Sequence, residues 1–339
     1  MADRRVVLFG LGGTIAMVAR AGGGVAPALT PDQLLAAVPG LADTGIAVDV
    51  VDFRQVPGAS VTAADLRLLV PEIAERLAGG ADGVVITQGT DTIEEAAYLL
   101  DLGHAGPAPI VVTGAMRNPT MAGADGPANL LAAIQVAAAP SARDLGVLVV
   151  FADEIHAARR VRKTHTTSGA TFRSRNGGPL GYVVEGTPRL LNRLDHRTVV
   201  PPGDQPARVA VVTVTFDDDG VLLDGLADRV DGVVLAALGA GHVPATLIDK
   251  VTDLAARRPV VLASRTGAGS ILAGTYGFPG SERDLLAKGL ISAGFLDPFK
   301  ARLLLQRSLA AGADRPTITA AIGVAGGYRD PADWPWPAR

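Results

Sequence analysis

Hydroxyl and carboxyl side chains follow apolar runs at three places in the first half of the 339-residue chain. Thr14 stands near the end of "VVLFGLGGTIA", Thr90 and Asp91 follow "VVITQG", and "IVVTGAMRNP" extends a third run. Short apolar runs that end at glycine are typical of strands buried in a parallel sheet. Because open α/β sheets bind ligands at the carboxyl ends of their strands, both threonines are candidates for an activated hydroxyl that attacks a carbonyl carbon.

The glycine cluster before Thr14 admits a second interpretation, a phosphate-binding turn for a dinucleotide. Gly10 and Gly12 fit the start of the G-x-G-x-x-G pattern, but Ile15 stands where the third glycine is required. A helix must also begin directly after such a turn, whereas "ARAGGGVAPALTP" is too rich in glycine and proline to be one. The sequence therefore favours a turn that presents Thr14, and "RAGGGVAP" beyond it is a candidate lid.

Ordinary structural roles compete with the catalytic ones. One of the three polar residues 90–92 is expected to cap the helix that follows, although a cap needs only one such residue. Lys163 lies beside Arg160 and Arg162, and on the residues alone a solvated basic loop is the expected structure there.

Short β-branched runs alternate with longer segments rich in alanine and leucine. This alternation predicts an α/β protein with an open, doubly wound parallel sheet. Thr30 and Thr62 are predicted helix N-caps, and "NGGPLGYVVEGTPRLL" is predicted to form a hairpin. Prolines at 201–206 interrupt the pattern, which restarts near Arg208. We therefore predict an N-terminal α/β domain with the catalytic residues over 1–195, a linker over 196–208 and a C-terminal α/β domain over 209–339.

Composition removes several classes of function. Hydrophobic residues make up 48% and charged residues 19%, without an apolar run long enough to span a bilayer. The net charge of −3 and the lack of a basic patch argue against nucleic-acid binding. Absence of cysteine excludes thiol nucleophiles and disulfides, and the five histidines lack metal-ligand spacing. We therefore expect no metal or cofactor and no membrane partner. We also expect a cytoplasmic location, since three glycines interrupt the N-terminal apolar stretch where a signal peptide would be continuous.

The segments GGTIA, QGTDT and TGAMR, in this order, resemble the strand-end motifs of the bacterial-type L-asparaginase/glutaminase family of amidohydrolases. Agreement extends to residues 160–182 and 294–309. The resemblance implies a two-domain fold, with a larger N-terminal doubly wound sheet and a smaller C-terminal parallel α/β domain. It also implies hydrolysis of an amide, with L-asparagine converted to L-aspartate as the family default.

Individual roles follow from the same resemblance. Thr14 matches the family's usual nucleophile, while Thr90, Asp91 and Lys163 match a proton relay. Backbone groups around Thr90 and Ala115 are implied as donors to the oxyanion. The implied substrate-binding positions are Gly13, Gly58, Ser60, Gly89, Ala115 and Met116. The family pattern further implies a homodimer or homotetramer in which active sites are shared between subunits.

Three departures from the family pattern concern substrate recognition. The candidate lid lacks the family's tyrosine, Gly58 stands where a serine is expected with Ser60 two residues on, and His242 replaces an asparagine. Tyr276 is a candidate replacement for the missing phenol, on position alone. Two alternatives to asparagine hydrolysis therefore stay open: an asparaginase-like hydrolase of a different amide, and a catalytically weak homologue that binds a small amide.

Overall fold

The computed structural model describes residues 4–19 and 22–336. The chain divides into two compact units, Met1–Arg197 and Thr198–Arg339. The boundary between them falls inside the segment 196–208, whose assignment as a linker stays a prediction. Within the described residues, no helix combines the length and the apolar character needed to cross a membrane.

The N-terminal unit combines strands and helices of an α/β fold. Its strands are β1 (Arg4–Gly12), β2 (Met17–Ala19), β3 (Val25–Pro27), β4 (Ile46–Val56), β5 (Gly83–Thr87), β6 (Ile110–Thr113), β7 (Val147–Phe151), β8 (Glu154–Ala157), β9 (Arg162–Lys163), β10 (Phe172–Arg173), β11 (Gly181–Val184) and β12 (Thr187–Leu190). Its helices are α1 (Pro31–Ala36), α2 (Ala63–Ala78), α3 (Ile93–Asp101) and α4 (Gly126–Ala138).

Eight of the described strands form one sheet in the order β12-β11-β8-β7-β6-β5-β1-β4. The strands β4, β1, β5, β6 and β7 are parallel, whereas β8, β11 and β12 join antiparallel. The sheet is therefore mixed; the predicted doubly wound sheet is confirmed, and the predicted hairpin is confirmed as β11 and β12. The parallel part has the doubly wound order 2-1-3-4-5, whose switch point lies between β1 and β5.

Helices cover both faces of this sheet. Helix α4 packs on β1, β5, β6 and β7 together with α1, while α2 and α3 pack against each other on the opposite side. The parallel strands β5, β6 and β7 are buried along their whole length, as expected for strands with helices on both faces. Both predicted N-caps are confirmed, since the hydroxyls of Thr30 and Thr62 accept hydrogen bonds from the amides of Gln33 and Asp65.

The described part of the C-terminal unit has a parallel sheet in the order β13-β14-β15-β16. Its elements are β13 (Val209–Thr213), β14 (Gly232–Ala237), α5 (Ile248–Arg257), β15 (Val260–Ser264), α6 (Glu282–Ala287), β16 (Ile291–Ser292), α7 (Pro298–Ala310) and α8 (Arg315–Ala325). Helix α7 packs on β13, β14 and β15, and α8 packs on α7 and β16. The predicted smaller parallel domain is thus confirmed.

His156 lies on β8 with its ring wholly buried. Its Nδ1 is 3.0 Å from Ser174 Oγ, and its Nε2 is 3.3 Å from Glu154 Oε2. Burial, assisted by the nearby positive charge of Arg173, lowers the pKa of His156 from 6.5 to about 4. The imidazole is therefore neutral in the folded protein at neutral pH.

This buried imidazole predicts acid sensitivity of the fold. Between pH 6.5 and about 4 the unfolded chain binds a proton that the folded chain excludes, so stability is complete above pH 6.5 and falls as the pH drops through this range. We expect the free energy of unfolding of His156→Gln, measured with urea, to lose about 2 kcal/mol less than wild type between pH 7.5 and 5. Equal losses in the two proteins would contradict this assignment.

Candidate active site

Four loops that carry predicted site residues leave neighbouring strands at the same edge of the large sheet. They follow β6, β5, β1 and β4, which are adjacent in this order. The register places Gly10 of β1 beside Thr87 of β5, and Thr87 beside Thr113 of β6, so these three strands end at one level. The loops containing Thr14 and Thr90 therefore lie at the switch point, where doubly wound sheets open a crevice.

Direct backbone contact joins three of these loops. A Cβ atom on Gly13 would lie 2.2 Å from the backbone nitrogen of Gly89, and one on Gly58 would lie 2.7 Å from the carbonyl carbon of Gly89. A Cβ on Gly89 would lie 2.4 Å from Gly58 Cα. Real Cβ atoms do not approach so closely, so glycine is required at all three positions. The predicted binding residues Gly13, Gly58 and Gly89 are thus brought together by their lack of side chains.

Lys163 connects the second loop to a more distant part of the chain. Its Nζ donates hydrogen bonds to Thr90 Oγ1 at 3.0 Å and to Asp91 Oδ1 at 2.8 Å. The Lys163 and Thr90 side chains are largely buried, whereas the Asp91 side chain is 63% exposed. An amine that contacts both a hydroxyl and a carboxylate can transfer protons at that hydroxyl. The structure therefore brings together the three residues predicted as a relay, and Lys163 is not part of a solvated basic loop.

Thr14 begins a single turn of 3₁₀ helix, Thr14–Ala16, directly after Gly13. Since Gly13 contacts Gly89, Thr14 is next to the loop that carries Thr90. No α-helix follows β1 directly, because β2 and β3 form an antiparallel pair there. This excludes the geometry of a dinucleotide-binding turn. Part of the candidate lid, Arg20 and Ala21, lies outside the described residues, and the lid itself stays a prediction.

The loop after β6 is fixed by a carboxylate and an amide. Asp125 accepts hydrogen bonds from the backbone N–H groups of Met116, at 3.0 Å, and Arg117, at 2.8 Å. Asn129 Nδ2 donates to the Gly114 carbonyl at 3.0 Å and to Asp125 Oδ2 at 3.1 Å. The backbone on both sides of the buried residue Ala115 is therefore held in place.

Comparison with known proteins shows the family. The family model for the N-terminal domain of asparaginase matches residues 5–196, and the model for the glutaminase/asparaginase C-terminal domain matches residues 208–322. The chain belongs to the asparaginase family. It is a hydrolase that acts on carbon–nitrogen bonds of linear amides, and the predicted family and two-domain asparaginase fold are confirmed.

Individual relatives are similar over nearly the whole chain. A probable L-asparaginase of Deinococcus radiodurans is 39% identical over 319 residues, 93% of this chain and 95% of that protein. An L-asparaginase of Bacillus licheniformis is 31% identical, over 91% of this chain and 96% of that protein. The crystal structure of a probable cytoplasmic L-asparaginase from Campylobacter jejuni has a TM-score of 0.83 and 33% identity, covering 94% of this chain and 99% of that one. These similarities do not favour either alternative to the asparaginase function.

The Thr92 side chain does not form the helix cap that was predicted for residues 90–92. Thr92 occupies the N-cap position of α3, but no side chain caps the helix there, so the prediction of a side-chain cap among residues 90–92 is wrong. The Thr92 hydroxyl instead donates to the carbonyl oxygen of Gly58 at 2.8 Å and accepts from Gln88 Nε2 at 3.1 Å. A tertiary contact has replaced the local one.

Residues 58–60 form a 3₁₀ turn after β4, in which Gly58 is buried and Ser60 is exposed. The backbone N–H of Ser60 donates to the Pro57 carbonyl at 2.9 Å. Because Gly58 contacts Gly89, it has no room for the serine that the resemblance places there, and Ser60 supplies the hydroxyl of this turn.

Sequence reasoning missed the supporting roles of Asn129 and Glu94. Asn129 follows Asp125 by four residues, so the two share a helix face, and this spacing was an available signal. Glu94 lies in the first turn of α3. Its contacts with the strand that carries Lys163 join segments 69 residues apart, which local patterns do not indicate.

The C-terminal unit contains a second polar cluster, around Glu282. This carboxylate is wholly buried and accepts the backbone N–H groups of Thr275 and Tyr276 at 3.0 and 2.8 Å, while His242 Nε2 lies 3.2 Å away. Burial opposes ionisation of Glu282, but the hydrogen bonds from Tyr276, Thr275 and His242 hold its pKa below the ordinary value. The rings of His242 and Tyr276 are 4.8 Å apart. Across residues 4–19 and 22–336, no three His, Asp or Glu residues are grouped so that they could hold a metal ion.

The contact between Gly58 and Gly89 predicts that no side chain is tolerated at position 58. Gly58→Ala places a Cβ 2.7 Å from Gly89 and must displace the 58–60 turn, so we expect stability to fall by about 1–3 kcal/mol and amide hydrolysis to fall at least about tenfold. Thermal unfolding and ammonia release measure the two effects. Gly79→Ala is the matched control, because its Cβ would meet its neighbours at 3.4 Å. Equal behaviour of the two variants would contradict a required glycine contact.

Proposed function

We propose that this chain hydrolyses L-asparagine to L-aspartate and ammonia, with Thr14 as the nucleophile. The observation that carries the proposal is the position of Lys163 Nζ, 3.0 Å from Thr90 Oγ1 and 2.8 Å from Asp91 Oδ1. Amide hydrolysis requires an activated hydroxyl, a group that moves its proton, and donors to the oxyanion. The names of the similar proteins, all L-asparaginases, support asparagine as the substrate.

The reaction proceeds in two steps. In the first, the Thr14 oxygen attacks the side-chain amide carbon, the threonine proton passes to the departing nitrogen, and the carbon–nitrogen bond breaks to leave an ester and ammonia. In the second, water attacks the ester carbon, giving the carboxylate product and restoring the threonine hydroxyl. Thr90, oriented by Lys163, relays protons in both steps, and backbone N–H groups of Thr90 and Ala115 stabilise the oxyanion.

Substrate recognition is assigned to the converging loops. Gly13, Gly58 and Gly89 allow a ligand to approach the backbone, since none of them carries a side chain. Ser60, Ala115 and Met116 lie on two of the surrounding loops and complete the proposed binding positions. We assign the proton chemistry to Thr14, Thr90, Asp91 and Lys163 and substrate recognition to these other residues.

The assembly and the location are also proposals. We propose a homotetramer with shared active sites, which follows from the family resemblance, and Tyr276 as the phenol that replaces the missing lid tyrosine. A cytoplasmic location is supported by the Campylobacter jejuni protein, which is described as cytoplasmic. A Haemophilus influenzae relative is described as periplasmic, so location varies among the relatives.

Replacement of the reacting groups tests the mechanism. Thr14→Val, Thr90→Val and Lys163→Met each remove one reacting group with little change in shape, so each is expected to lower kcat for ammonia release by about 1000-fold or more. The kcat of the double variant Thr90→Val/Lys163→Met should be no lower than that of the less active single variant, because the two residues act as one unit. Steady-state ammonia release from L-asparagine measures both effects.

Thr319→Val is the control for hydroxyl removal, since the hydroxyl of this half-buried threonine in the C-terminal unit donates to the Arg315 carbonyl of its own helix. It should keep wild-type activity. Glutamine and N-substituted amides serve as competing substrates. Faster turnover of any of these than of L-asparagine would contradict the proposed substrate, and unchanged hydrolysis by Thr14→Val would contradict the proposed nucleophile.

The proposed assembly predicts a solution mass of four chains. Each chain has a mass of 34.6 kDa, so light scattering coupled to size exclusion should give a mass near four times this value. A monomer that retains full hydrolysis at nanomolar concentration would contradict shared active sites.

A further inference from the structure

The first turn of α3 contacts two distant segments that belong to the proposed site. Thr92 bonds to the turn that begins at Gly58, and Glu94 bonds to the strand that carries Lys163. The turn follows β4, and the strand, β9, precedes β10. Neither segment is adjacent to α3 in sequence. One helix end therefore touches both the proposed substrate loop and the proposed relay.

The contact made by Thr92 is a chain of two hydrogen bonds. The Gln88 carboxamide, on a wholly buried residue, donates from Nε2 to Thr92 Oγ1 at 3.1 Å. Because this bond occupies the hydroxyl as an acceptor, its single proton is directed to the Gly58 carbonyl oxygen, 2.8 Å away. The same carbonyl accepts the backbone N–H of Val61 at 3.3 Å. The 58–60 turn is thereby tied to the end of β5.

The contact made by Glu94 joins α3 to the short strand β9. Strand β9 has two residues and pairs only with β10 among the described strands. Glu94 is 6% exposed, and its Oε1 accepts the backbone N–H of Lys163 at 3.3 Å while Oε2 lies 3.8 Å from Arg162 Nε. A buried carboxylate with a cationic neighbour gives a charge-assisted hydrogen bond, which is stronger than a neutral one.

Lys163 is therefore held at both ends by one short segment. Its backbone N–H bonds to Glu94, and its Nζ bonds to Thr90 and Asp91. Since all three partners lie within residues 90–94, a shift of this segment moves both ends of the lysine together. The Glu94 bond thus fixes the backbone of Lys163 relative to the segment that carries the Thr90 hydroxyl.

We propose that Thr92 and Glu94 are positioning residues of the hydrolysis reaction, Thr92 for the substrate loop and Glu94 for the relay lysine. The inference rests on the proposed function. It predicts separable kinetic effects, because loss of loop order weakens substrate binding whereas displacement of Lys163 slows the chemical steps.

The test uses two variants and a conservative rescue of each. Thr92→Val keeps the side-chain shape without the hydroxyl and should raise KM for L-asparagine about tenfold with kcat within about twofold, which corresponds to one lost hydrogen bond. Thr92→Ser should restore KM. Glu94→Ala should lower kcat about tenfold with KM within about twofold, and Glu94→Gln, which retains an oxygen acceptor, should recover most of the loss.

Amide hydrogen exchange gives a readout that does not depend on turnover. Thr92→Val should accelerate exchange at Ser60 and Val61, and Glu94→Ala should accelerate it at Lys163 and Thr164, each without affecting the other segment. Unchanged exchange at these amides, acceleration throughout the unit, or failure of both rescues would overturn the positioning roles. If wild type released no ammonia, the proposed function would fail, whereas exchange would still show whether Thr92 holds the 58–60 turn and Glu94 holds the strand that carries Lys163.

Discussion

The contact of three glycine backbones at the edge of the large sheet is the constraint on which the site depends. Strand β1 lies between β4 and β5, so the loops that leave these strands meet above it. Gly13, Gly58 and Gly89 allow the loops to approach at distances that a Cβ on any of them would prevent. The cost is conformational, because glycine loses more backbone freedom on folding than other residues. Buried strands and helices on both faces must supply the compensating stability.

Residues 88–94 hold the neighbouring turn and the proposed relay in place. Within one short segment, Gln88 and Thr92 hold the 58–60 turn, Thr90 and Asp91 contact the amine of Lys163, and Glu94 holds the backbone of the same lysine. A helix that is buried on one side resists displacement better than a free loop. The relay groups are therefore held by the N-terminal end of α3 and the residues that directly precede it.

The sequence predicted the strand ends well because their signal is local. Apolar runs followed by glycine identified β1, β5 and β6, and the caps at Thr30 and Thr62 depend on residues three positions away. Strand β8, which joins the predicted hairpin to the parallel strands, was missed because it has four residues and two of them are polar. Lys163 was identified only through family resemblance: a strand of two residues has no periodicity, and its basic neighbours suggested solvent exposure. Thr92 was misjudged because a carbonyl 34 residues away competes for its hydroxyl.

The residues that match the family pattern and the altered 58–60 turn differ in how their side chains are held. The proposed relay is held within one unit by the hydrogen bonds from Lys163 Nζ to Thr90 and Asp91, so replacement of any member disturbs the others. The 58–60 turn lacks such side-chain coupling: it is fixed through the carbonyl of Gly58, and the side chains of Ala59 and Ser60 are exposed. Because a serine at position 58 would collide with Gly89, loss of that serine preserves the backbone contact. Side chains at the proposed substrate positions of this turn can therefore change while the contacts of the proposed relay are maintained.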